Sequence, residues 1–209
     1  MRIPNNIQLN KECQYCIGCF SKNIKRVFRD GLTYYYCDAC GKTLERSLVI
    51  DNGIVWWVDK TTREYWHESV GIFVFDSENK ALFFERTIYP FALAIPAGHL
   101  DSNEMALPAV IRELNEETGI HVERETVKLF SEEDVAGDQC RRGADHHRWH
   151  LYCTTINKKE PVLEINNEGV KPEWLTLEEA IDKKLVYSVK YFIEKYGDKL
   201  LKNTRRPGI

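Results

Sequence analysis

No apolar run in the 209-residue sequence reaches the roughly 18 residues that a membrane-crossing helix needs. The segment from Met1 to Lys11 is polar and lacks the apolar core of an export signal. A soluble, cytoplasmic chain with no membrane partner is therefore expected. Charge of one sign is missing too. The 29 Lys and Arg nearly balance the 32 Asp and Glu, leaving a formal −3, so composition demands neither a nucleic acid nor a lipid surface. Repeats and low-complexity stretches are absent. What is present excludes wholesale disorder: 43% of residues are hydrophobic, with 9 Phe, 5 Trp and 10 Tyr to fill a core. The length fits one ordinary domain with a small accessory module. Seven cysteines are the odd figure. Disulfides would explain them in a secreted mini-protein, but this chain is too long and shows no export signal.

Five of the seven lie between residues 13 and 40. Cys16-Ile-Gly-Cys19 and Cys37-Asp-Ala-Cys40 form two CxxC pairs separated by 17 residues, and Cys13-Gln-Tyr-Cys16 is an alternative first pair. Either spacing fits a four-cysteine zinc site, in which each tight turn aims two thiolates at one ion about 2.3 Å away. Cys16, Cys19, Cys37 and Cys40 are preferred, with Cys13 spare, because Phe20-Ser21 then leads directly into a strand. Phe28 and Thr33–Tyr36 flank Asp30-Gly31 and predict a hairpin, which makes the whole a zinc ribbon. Four thiolates leave no open position, so the zinc is structural, and its binding supplies the folding energy that so short a segment cannot draw from a core. Lys22, Lys25, Arg26 and Arg29 read as a solvated basic face, with RNA contact as the alternative. Cys140 and Cys153 stand alone and read as ordinary core or surface thiols.

A domain boundary is placed at 47/48. Residues 47–58 read as strand, Asn52-Gly53 turn and strand. Residues 68–76 and 81–86 are apolar, β-rich runs joined by the turn Ser77–Lys80. Ala106, Ala109, Val110 and Leu114 recur at helical spacing, and Gly119 is a natural stop. Pro108 requires that helix to begin close to residue 105 or later. Residues 121–130 and 147–156 predict further strands. Residues 176–196 predict one or two helices with Thr176 as N-cap, and Asn203–Ile209 a loose tail. This order predicts a mixed α/β sandwich.

On the helix, Glu113, Glu116 and Glu117 stand at i, i+3 and i+4 and so share one face. Three carboxylates in one place repel each other. A hard divalent cation such as Mg²⁺ removes that conflict and can hold the phosphates of a substrate.

The wider pattern is Gly98-x5-Glu104-x7-Arg112-Glu113-Leu114-x-Glu116-Glu117-x-Gly119-Ile120. It fills all nine fixed positions of the Nudix box, GX5EX7REUXEEXGU, within 23 residues. The chain resembles a Nudix hydrolase over about residues 67–200, including the strand Ala81–Arg86 and the late segment Glu173–Ala180. The resemblance implies a Nudix α/β/α sandwich on a mixed sheet in residues 48–209, preceded by the zinc ribbon in residues 1–47. It also implies an Mg²⁺- or Mn²⁺-dependent hydrolase of a nucleoside diphosphate linked to another moiety. By position, Glu113, Glu116 and Glu117 become the metal ligands and catalytic set, joined by a carbonyl of Ala97 or Gly98. Arg112 and Glu104 brace the loop against the helix. Family members differ in the general base. The later candidates are Glu132, Glu133, Asp134, Glu164 and Glu168. Glu168 matches the spacing of a metal-binding glutamate in zinc-containing NADH pyrophosphatases and is the chosen extra ligand.

Arg141 and Arg142, in a Gly-containing loop before a strand, are the candidate phosphate contacts. The histidines His146, His147 and His150 beside them are a candidate second metal set, although strand alternation puts His146 and His150 on one face and His147 on the other. The ribbon-plus-Nudix arrangement resembles NADH pyrophosphatases, but no SQPWW-type motif follows Ile120. The substrate set therefore stays open among NADH or NAD, ADP-ribose, nucleotide sugars and damaged nucleoside triphosphates. A nucleotide sensor or RNA-binding module is the alternative to an enzyme, and a homodimer is a candidate assembly.

Overall fold

In a computed structural model described over residues 1–159, 163–166 and 168–204, the chain forms thirteen strands and three α-helices. The N-terminal elements are β1 (Cys13–Cys16), β2 (Ile24–Arg29), β3 (Leu32–Cys37), β4 (Thr43–Leu44) and β5 (Ser47–Ile50). Then come β6 (Trp56–Val58), β7 (Tyr65–Phe75), β8 (Ala81–Arg86), β9 (Leu93–Ala94), β10 (Ala97–His99) and α1 (Ala106–Thr118). β11 (Lys128–Ala136), β12 (His146–Thr155), β13 (Gly169–Leu175), α2 (Leu177–Ile181) and α3 (Tyr187–Thr204) complete the chain. No helix among the described residues is long and apolar enough to cross a membrane.

The central sheet runs β11-β12-β7-β8-β13, with β6 and β10 pairing β7 and β9 pairing β8. β12 lies parallel to β7 and the other pairs are antiparallel, so the sheet is mixed as expected. The alternation of β7 defines two layers of core. Val70, Ile72 and Val74 pack with Ala109, Val110 and Leu114 of α1. Phe73 and Phe75 point the other way, into a cluster with Trp149, Val189 and Phe192. Each such fully buried Leu, Val or Phe contributes roughly 2 kcal/mol through removal from water. Gly71 lies on that second face because the Trp149 ring occupies the place of a Cβ, 2.7 Å from an ideal one.

The helix boundaries follow the local signals. Gly119 ends α1 in the left-handed region (φ 71°), and its N–H donates to the Asn115 carbonyl. Thr176 caps α2 in a reciprocal capping box with Glu179. One expected strand moves. Residues 121–130 are mostly connection, with a 3-10 turn at Arg124–Thr126, and β11 begins only at Lys128. Of the apolar residues in that span, Val122 and Val127 pack with the α1 cluster, and Leu129 and Phe130 lie on β11. α3 runs through Thr204, further than the expected loose tail allows, and residues 205–209 lie outside the described set.

The N-terminal part has its own three-stranded sheet, β2-β3-β4, turned at Asp30 (φ 50°) and Gly31 (φ 76°), the left-handed pair of a tight hairpin. The 47/48 boundary falls at the start of β5. This strand pairs β1, and its Ser47 and Val49 N–H groups donate to the Arg141 and Arg142 carbonyls at 3.0 Å each. The ribbon therefore docks directly on the loop before β12. Tyr65 strengthens the seam by donating its hydroxyl to the Val49 carbonyl at 2.7 Å.

Candidate active site

The Sγ atoms of Cys16 and Cys40 lie 3.8 Å apart, and those of Cys19 and Cys37 3.6 Å apart. Two thiolates on a tetrahedral zinc with bonds of about 2.3 Å are separated by about 3.8 Å. The quartet therefore fits the ion in number, donor type and spacing. The two turns are built alike. Phe20 N–H donates to the Cys16 carbonyl and Gly41 N–H to the Cys37 carbonyl, each at 2.8 Å, with φ of 57° and 69° at those residues. Cys13 stands apart on β1, its thiol directed at the Gln14 carbonyl. Of the basic ribbon residues, Lys25 pairs with Asp38 at 3.0 Å.

The box residues meet in a cleft of about 290 Å³. Glu113, Glu116 and Glu117 line it from α1, Ala97 and Gly98 from β10, and Arg141, Arg142 and Glu168 from the later loops. Glu117 is 4% exposed, and its Oε2 accepts the Ala97 N–H at 2.8 Å. Burial pushes its carboxyl up to about 8, Glu113 and Glu168 add to the rise, and the Ala97 N–H and Arg86 hold it back. Burial also raises Glu113, against the pull of Arg112. Gly98 is required here: an ideal Cβ would stand 2.1 Å from Glu113 Oε1. The loop glycine is what lets that carboxylate lie against the backbone.

Arg112 grips Glu104 with a fork, Nη2 to Oε2 at 2.8 Å and Nε to Oε1 at 3.2 Å. Its Nη1 reaches Glu113 at 2.9 Å and Glu116 at 3.3 Å. It therefore spans the loop and the acidic face. Arg141 Nη2 pairs with Glu168 at 3.2 Å, and Arg142 pairs with Asp51.

The other base candidates are drawn elsewhere. Glu133 on β11 is bound by Lys195, Tyr191, Tyr196 and Ser131; burial opposes ionisation, yet these partners hold its carboxyl down at about 2. Glu132 pairs with His150 and Asp134 with Arg148. Glu164 lies against Gly119. Of the five candidates, Glu168 is the one lining the cleft among the described residues. The histidine set does not assemble either. His146 stacks on Trp66 and His150 pairs with Glu68, while His147 turns inward, as the period of a strand dictates.

Three cleft features escape the motif. Arg86, at the end of β8, acts on both Glu117 and Glu168, and its Nε has no hydrogen-bond partner. The available signal was a cation closing an apolar strand, in Ala81–Arg86. Tyr35 of the ribbon is near enough to act on the Arg141 guanidinium. Cys140, expected to be an ordinary thiol, sits with its Sγ 3.5 Å from His67 Nδ1.

The NUDIX domain profile matches residues 65–196, more than half of the chain, and the protein belongs to that family. No curated protein matches the sequence. Among solved structures, the NUDIX domain of Shewanella oneidensis NrtR complexed with ADP ribose is similar, with a TM-score of 0.55 and 18% identity over 68% of this chain and 93% of that one. A MutT protein from Methanosarcina mazei Go1 matches with a TM-score of 0.53 and 16% identity, over 64% of this chain and 94% of the other. A bifunctional NMN adenylyltransferase/ADP ribose pyrophosphatase from Francisella tularensis, complexed with AMP and a Mn ion, gives 0.51 and 22%. That match covers 64% of this chain and 42% of that one. Likeness at these identities is likeness of fold.

Proposed function

We propose that this protein is a divalent-cation-dependent hydrolase of phosphoanhydride bonds. Its substrate is a nucleoside diphosphate linked to a second moiety, such as NADH or NAD, ADP-ribose or a nucleotide sugar. One observation carries the reading: Glu113, Glu116 and Glu117 converge on the glycine loop, with the Glu117 carboxyl raised chiefly by its burial. So many hard oxygen donors in a half-dry cleft fit Mg²⁺ or Mn²⁺. Glu113, Glu116, Glu117 and Glu168 would hold the ion, with a carbonyl of Ala97 or Gly98. When bound, such an ion neutralises phosphate charge and favours attack of water on phosphorus.

The protein's own groups do the rest. Arg141 and Arg142 bind the diphosphate oxygens, which replace Glu168 and Asp51 as their partners. Arg112 is a positioning residue that fixes Glu113 and Glu116 against Glu104. Glu117 keeps its orientation through the Ala97 N–H. Water adds to one phosphorus, the bridging P–O bond breaks, and two phosphate monoesters leave. The ribbon, residues 1–47, holds a structural zinc through Cys16, Cys19, Cys37 and Cys40 and backs the Arg141 loop. Residues 48–209 form the hydrolase domain.

The test is a panel of NADH, NAD⁺, ADP-ribose, nucleotide sugars, diadenosine polyphosphates and nucleoside triphosphates with Mg²⁺ and product identification. ADP-ribose heads it because two of the similar folds are named with it. Cleavage of a phosphoanhydride bond that is lost in Glu117→Gln is expected. Tight nucleotide or RNA binding with no turnover of any member replaces the enzyme by a sensor or RNA-docking module.

A further inference from the structure

His67, His99, Cys140 and His147 come from β7, β10, the loop before β12, and β12 itself. The parallel register of β12 on β7 puts His147 directly opposite His67. β10 brings His99 to the same end of β7, opposite Ser69. One ligand atom from each of the four lies within 4.8 Å of the other three. The Cys140 Sγ to His67 Nδ1 distance of 3.5 Å is informative. A thiolate and an imidazole nitrogen on one tetrahedral zinc, with bonds of about 2.3 and 2.0 Å, are separated by about 3.5 Å.

Packed rings alone would be the plainer explanation. The centroids of His67, His99 and His147 do lie 4.8 to 5.8 Å apart. Packing leaves the polar atoms unexplained. His67 is fully buried, its Nδ1 meets only the thiol, and its Nε2 has no partner. A buried imidazole in that state is costly. His147 is held differently. Its Nδ1 faces the Asp138 carbonyl at 2.9 Å and Asp138 Oδ2 at 3.1 Å, and Trp149 Nε1 donates to that same Oδ2 at 2.8 Å. This leaves Nε2 as the nitrogen free to serve a ligand. A carboxylate and a carbonyl that fix one histidine nitrogen are the usual support of a histidine bound to metal through the other.

We propose that Cys140, His67, His99 and His147 form a second soft-metal site, separate from the ribbon quartet and from the glutamates, taking Zn²⁺ or a cation of similar preference. One sulfur and three nitrogens suit that ion and not Mg²⁺. All four positions are filled by protein, so the ion acts as a clip. It fastens the loop carrying Arg141 and Arg142 to the central strand β7. Through His99 it also fixes Gly98, the residue against which Glu113 lies. The clip thus joins the cation side and the arginine side of the cleft.

Crystals of the full chain grown with Zn²⁺ and measured at the zinc absorption edge test this directly. An anomalous peak is expected among these four residues, in addition to any at the ribbon. Zinc content should fall from about two ions per chain to about one in Cys140→Ser, and likewise in His147→Ala, with the ribbon peak intact. Absence of a peak among the four residues overturns the proposal, whether or not the ribbon is filled. Unchanged zinc content in both variants also overturns it. If neither variant folds, the wild-type anomalous map decides alone.

Discussion

The ribbon quartet and the acidic cleft are both sets of converging anionic donors, yet they are built in opposite ways. The four cysteines lie within 25 residues, on two copies of one turn, and leave no position for anything but an ion. The cleft draws on residues from Ile54 to Val189, and its carboxylates are balanced by Arg112, Arg86 and Arg141. Closed, local, soft donors make a fastener. Open, long-range, hard donors leave room for a substrate. The two regions meet at Arg141, whose carbonyl accepts the Ser47 N–H of β5.

Experiments can break that contrast, and the largest effect belongs to the cleft. Glu117→Gln should lower kcat on the order of 10³-fold while the fold is kept, because the amide oxygen still accepts the Ala97 N–H. A variant with near wild-type turnover would remove the cleft from the chemistry. Gly98→Ala comes next. The new methyl group displaces the Glu113 carboxylate, so a loss of about 10- to 100-fold in activity is expected with little change in Tm, a flexible side-chain end being what must move. A Tm collapse would make Gly98 a folding residue instead.

Breaking the proposed ribbon site with Cys19→Ser should unfold residues 13–40, seen by hydrogen exchange, but cost only about tenfold in activity assayed with saturating Mg²⁺, through loosening of Arg141. Activity loss as severe as that of Glu117→Gln would erase the distinction between fastener and cleft.

The smallest effects concern pH, and their signs are opposite. The Glu133 carboxyl is held at about 2, below the ordinary 4.5, so its contribution to stability is present above that ordinary value and is lost as pH falls toward 2. The stability difference between wild type and Glu133→Gln should shrink over that window in denaturant titrations. Glu117, raised to about 8, behaves in reverse in the metal-free protein. Its stabilising neutral form is full below the ordinary carboxylate value and is lost as pH rises through about 8. Mg²⁺ affinity, which needs the carboxylate, should increase over the same rise and then level off, as calorimetry would show.

What the sequence disclosed follows from the same contrast. Cys16, Cys19, Cys37 and Cys40 declare themselves by spacing because each pair is fixed within one turn, and the helical glutamates because 3.6-residue periodicity is local. The helix ends at Gly119 and Thr176 were legible for the same reason, whereas the mixed sheet was expected from the family resemblance, since its parallel pair joins strands far apart in the chain. The strand expected at 121–130 begins only at Lys128 because Val122 and Val127 are apolar for contact with the α1 cluster, and a run of apolar residues does not say which neighbour it meets. The base candidates on β11 were legible as carboxylates but not in direction, since Lys195 and two tyrosines of α3 claim Glu133. His67, His99 and Cys140 are far apart in the chain, and only the register of β12 and β10 on β7 unites them.

The docking of β5 makes the ribbon and the arginine loop one cooperative unit. The amides of Ser47 and Val49 can exchange with deuterium only when the seam to Arg141 and Arg142 parts. Their protection factors therefore measure the free energy by which the two modules hold each other. A ligand that clamps the arginines should slow exchange at those two amides, although neither residue lines the cleft.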